Sequence, residues 1–152
     1  MKYIKSYKIF ESIDLSWFEE LFYELEDEGF KVDITEAQSS VIDFSKVTTP
    51  YVDAHDMYRK EGRPDNPITG EVVRTLNVVV NRGDKDYLSR TFRVGDIKDQ
   101  LLFAESFAKG EKGLDMMYIY TMKVPNYRYF ASVKDIPDDY VVQSVTVTFR
   151  NN

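Results

Sequence analysis

Apolar residues at positions 18, 21, 22 and 25 repeat at i, i+3, i+4 and i+7 and draw one helical stripe. The spacing predicts a helix over 14–28. Ser16 and Glu19 are spaced as a capping box, Asp14 is a competing cap, and Gly29 stands where such a helix stops. Phe30, Val32 and Ile34 then alternate with Lys31, Asp33 and Thr35, which predicts a strand. A second strand is expected over 40–44, after a polar turn. Pro50, Gly62, Pro64, Pro67 and Gly70 interrupt the next stretch, so 45–70 reads as an irregular loop holding a short helical turn near 51–60. A loop that long inside a small domain is often functional or mobile.

The run 71–80 is rich in Val and Leu and is the strongest strand pattern. Residues 81–86 carry turn chemistry, and 87–94 is expected to pair back as a hairpin. Asp96 is placed to cap a helix running to Lys109, with Ile97, Leu101, Ala104 and Ala108 on one side. Strands are expected at 114–124, 127–134 and 140–149. The order of elements predicts a single α+β domain. Its mainly antiparallel sheet should have about five to seven strands, with two helices on one face.

Composition narrows the classes. The chain has 152 residues, 43% hydrophobic and 30% charged, the profile of one globular domain. Cysteine is absent, which removes disulfides, thiolate nucleophiles and sulfur-ligated zinc. The net charge of −6 makes the chain a poor non-specific partner for nucleic acid or an anionic membrane. Its apolar runs fall far short of the roughly 20 residues of a bilayer span. We therefore expect no membrane association and no cofactor.

Candidate chemistry is sparse. Asp53, His55 and Asp56 crowd together in the irregular segment, and a His with carboxylates can hold a divalent metal or move a proton. With a single His in the chain and no established ligand spacing, this gives only an alternative reading, a small metal-dependent enzyme. Tyr118, Tyr120, Tyr127, Tyr129 and Phe130 concentrate in two adjacent strands among Lys123, Arg128 and Lys134. Such aromatics can stack the bases of single-stranded nucleic acid, a second alternative. Against it, Tyr118 and Tyr120 are expected to share a face with Met116 and Met122, as in a core. Arg82-Gly83-Asp84 reads as turn chemistry. Glu20, Glu24, Asp27 and Glu28 make an acidic helix face, a candidate contact for a basic protein partner.

The first eleven residues, Met-Lys-Tyr-Ile-Lys-Ser-Tyr-Lys-Ile-Phe-Glu, are basic and amphipathic, whereas 12–30 hold no Lys or Arg. This start resembles the capsid-targeting peptides of internal head proteins in tailed bacteriophages, which begin Met-Lys and end Leu/Ile-x-Glu. The matching tripeptide is Ile9-Phe10-Glu11, and the resemblance implies cleavage after Glu11 to leave Ser12 as the new N-terminus. It covers eleven residues of the chain. Internal proteins of this type are often basic, and the acidity of this chain departs from that habit. The expected organisation is thus a mobile basic segment, 1–11, before an α+β domain, 12–152. The expected function is that of a non-enzymatic phage protein, in the host cytoplasm or the virion, acting by protein binding.

Overall fold

The Val-rich run at 71–80 becomes the organising strand of the molecule. In the computed structural model, which describes residues 16–59, 62–83, 89–110 and 114–151, that run lies within β3, Ile68–Asn81. One edge of β3 pairs with β1, Lys31–Ile42, and the other with β8, Ser144–Asn151. Beyond β8 lie β5 (Leu114–Lys123), β6 (Asn126–Phe130) and β2 (Tyr51–Asp53). The six-stranded order is β1-β3-β8-β5-β6-β2, every pairing antiparallel. A separate two-stranded ribbon joins β4 (Phe92–Arg93) to β7 (Val141–Val142). This is an α+β single-domain fold.

Helices α1 (Ser16–Asp27) and α3 (Lys98–Gly110) touch each other and cover one face of the sheet. That face is built by period-two alternation. Val32 and Ile34, then Leu76, Val78 and Val80, then Val145, Val147 and Phe149 are all buried with Phe22, Leu25, Leu101 and Ala104 of the helices. A one-residue slip in any of these strands would turn its apolar set to the other face, so burial fixes the register. α1 stops as its sequence foretells. Gly29 adopts φ 91, its N–H bonds Glu26 O at 3.1 Å, and the Phe30 N–H bonds Leu25 O at 3.0 Å. These two bonds satisfy carbonyls that the helix end leaves without partners.

Several expectations are corrected. The two strands expected over 30–44 are one continuous strand, because the polar Glu36, Gln38 and Ser39 pair with β3 at the sheet edge rather than forming a turn. The 87–94 hairpin is not formed onto β3. Both edges of β3 are taken by β1 and β8, and among the described residues of that stretch only Phe92 and Arg93 are in a strand, paired with β7. Asp96 caps the short 3-10 turn Val94–Asp96, accepting from the Arg93 N–H at 3.3 Å, and α3 begins two residues later. The irregular 45–70 segment holds β2 and a third helix, α2 (Ala54–Arg59), which packs on β2 and β6. Among the described residues no helix is long and apolar enough to cross a membrane.

Candidate functional site

The sheet face away from α1 and α3 holds the candidate site. A β-bulge between Met116 and Tyr118 decides its chemistry. Met116 pairs with Phe149 and packs on the helix side. After the bulge, Tyr118, Tyr120 and Met122 pair with Thr148, Thr146 and Ser144 on the opposite face. The expectation that Met116 shares a face with Tyr118 and Tyr120 is thereby overturned. The period-two count fails because a bulge inserts one unpaired residue. Tyr129 and Tyr127 stand beside them on β6, opposite Tyr120 and Met122. Ring centroids lie 5.1 Å apart for Tyr118–Tyr129 and 4.7 Å for Tyr120–Tyr129, close enough for favourable aromatic packing.

The long β1–β3 arm folds over this face. Tyr118, Thr148, Asn77 and Thr35 stand level with one another across four strands. Ser39 is four residues beyond Thr35. In a flat sheet it would sit about 14 Å across and about 13 Å along from Tyr118, at ordinary strand spacings. Instead Ser39 comes near enough to the Tyr118 hydroxyl to act on its ionisation, as does Thr148. The Ser39 and Thr75 hydroxyl oxygens are in turn 2.9 Å apart. Burial raises the Tyr118 pKa above 10.0, and those hydroxyl contacts only partly offset it. The ring therefore keeps its proton throughout the neutral range.

Between the arm, the sheet and α2 lies a pocket of about 720 Å³, within the size range of small-molecule sites. Its walls differ. Tyr118, Tyr120, Tyr127 and Tyr129 supply an aromatic side, with Ala54, His55 and Met57 of α2 above it. β1, β3 and β8 supply hydroxyls and amides from Ser39, Ser40, Asn77, Thr146 and Thr148. Asn77 Oδ1 is buried and accepts no hydrogen bond, a deficit worth about 1–3 kcal/mol. None of the described lining residues is Asp, Glu, Lys or Arg, in a chain that is 30% charged.

The residues singled out from sequence fare differently. Asp53 accepts the His55 backbone N–H at 2.9 Å, as a cap on α2. The His55 ring turns to Tyr127, at 6.4 Å between centroids, and Asp56 is exposed. No group of three or more His, Asp or Glu able to hold a metal occurs among the described residues. Only His55 of this trio lines the pocket. Arg128, expected among the stacking aromatics, lies on the other face with its guanidinium 4.3 Å from the Tyr51 ring centre. Tyr118 is buried and Tyr127 and Tyr129 are half-buried, so these rings line an uncharged pocket rather than an open basic sheet. Glu20, Glu24, Asp27 and Glu28 are exposed on α1 and meet nothing at the pocket. Ile9, Glu11 and Ser12 lie outside the described residues.

Sequence reasoning missed Ser39, Asn77, Thr146 and Thr148. One signal was available: Ser144, Thr146 and Thr148 alternate with Val145, Val147 and Phe149, which puts three consecutive hydroxyls on one face of β8. No family model, curated protein or solved structure matches this chain.

Proposed function

We propose that the protein is a non-enzymatic binding module whose open-face pocket takes an uncharged organic ligand. The observation that carries this reading is the lining, in which aromatic rings face hydroxyls and amides and no described residue is Asp, Glu, Lys or Arg. An anionic or cationic ligand would be stripped of water there without a paired charge, at considerable cost. That no described lining residue is a carboxylate or a basic Lys or Arg also disfavours the metal-enzyme and single-strand alternatives. Thermal denaturation of the full chain against neutral and charged small molecules tests the reading. Neutral compounds should raise Tm through preferential binding to the folded state. The Thr146→Phe substitution, which fills the pocket floor, should abolish the shift. Stabilisation by charged compounds alone would overturn the proposal.

A virion location is a second and compatible reading. The Ile9-Phe10-Glu11 tripeptide supports it by marking a site for cleavage after Glu11. Cleavage would remove three Lys and one Glu, taking the net charge from −6 to −8. The intact mass of protein recovered from particles decides the matter. Ser12 as the N-terminus supports processing, whereas full-length protein confined to soluble cell extract sinks the packaging idea.

A further inference from the structure

We infer that the ligand is a neutral carbohydrate, bound with the C–H face of a sugar ring on Tyr120 and Tyr129 and its hydroxyl rim facing Ser39, Ser40 and Thr146. The inference rests on the uncharged-ligand reading and names its chemistry. Two classes of neutral ring combine a flat apolar face with a polar rim, sugars and nucleobases. The pocket discriminates between them. A nucleobase edge presents donors and acceptors in fixed positions and is read by groups equally fixed, such as amides and guanidinium forks. In this lining the hydroxyls of Ser39, Ser40, Thr146, Thr148 and the four tyrosines outnumber the amides of Gln38, Asn66 and Asn77, and no guanidinium is among the described lining residues. A hydroxyl rotates and both donates and accepts, which matches a ligand whose own rim is made of hydroxyls.

Two details strengthen the assignment. The aromatic side is carried on paired strands, so a stacking surface exists without rearrangement. The described lining also lacks the pair of carboxylates that glycoside hydrolysis requires, so the sugar is held and not cut.

The test is calorimetric titration of the full chain with a panel of neutral mono- and disaccharides, and in parallel with nucleosides. At least one saccharide should bind in the millimolar range or tighter. Tyr120→Ala and Thr146→Val should each weaken it by about tenfold, the loss of one stacking or hydrogen-bonding contact. Should either variant fold poorly, saturation-transfer NMR on the unaltered protein serves instead: saturating the tyrosine rings should reach the C–H protons of one sugar face. Nucleosides binding while all saccharides fail would overturn the carbohydrate assignment and leave the uncharged-ligand reading standing. Binding of charged ligands alone would overturn both. No saccharide binding at millimolar concentration would overturn the inference by itself.

Discussion

Glu105 on α3 accepts a hydrogen bond from the Ser132 hydroxyl at 2.8 Å and from the Val133 backbone N–H at 3.2 Å. A buried carboxylate thereby fixes the helix to the corner after β6. Removing the acceptor leaves the buried Val133 N–H without a partner. Glu105→Ala should lower unfolding free energy by about 1–3 kcal/mol. Glu105→Gln keeps a carbonyl oxygen at the same reach and should cost less than about 1 kcal/mol. Urea denaturation of both variants checks the pair. Equal losses would mean that the hydrogen bonds contribute little there.

Tyr118 predicts a pH dependence. Burial raises its folded-state pKa above 10.0, so the folded protein holds this proton more tightly than the unfolded chain. The resulting stabilisation is complete below pH 10.0 and is lost as pH rises through the higher folded value. Tyr118→Phe removes the hydroxyl contacts to Ser39 and Thr148, which should cost about 1–2 kcal/mol at neutral pH. It should also flatten the alkaline decline. Denaturation measured at neutral and strongly alkaline pH gives both numbers. A decline equally steep in the variant would assign the alkaline loss to other groups.

The buried Asn77 Oδ1 lacks a partner, and the Asn77 backbone lies in the middle of β3. Asn77→Val replaces a poor strand former by a good one and removes the unsatisfied group. The protein should gain about 1 kcal/mol of stability. A destabilised variant would show that the amide is satisfied in solution.

Gly95 is required by a close approach. A Cβ built there would stand 2.8 Å from the Asp138 carbonyl oxygen, which accepts the Gly95 N–H at 2.9 Å. The same Asp138 carries a salt bridge to Lys98, at 2.6 Å. Gly95→Ala should force the two turns apart and cost about 1–3 kcal/mol. Gly110 has open space around it, and Gly110→Ala should change stability by less than about 1 kcal/mol. Thermal melts of the two variants compare the sites directly.

The α1 stripe, the stop at Gly29 and the alternating cores of β3 and β8 were legible because each depends on neighbours within a few residues. The continuity of β1 was not. Glu36 and Gln38 read as a turn in isolation, and only their pairing with Leu76 and Arg74 makes them strand. The hairpin expected after β3 failed for a similar reason, since strand pairing is a competition among distant segments.

By itself the sequence determined the α+β class, the two principal helices and the apolar face they cover, because periodicity and capping are local. It also determined that no disulfide forms. Only the tertiary structure decided where the tyrosines face, because one bulged residue in β5 reverses the parity of everything after Met116. Only it brought Ser39 to Tyr118, because curling of the β1–β3 arm is a property of the whole sheet. The pocket exists where those two long-range events meet, and no window of the sequence contains both.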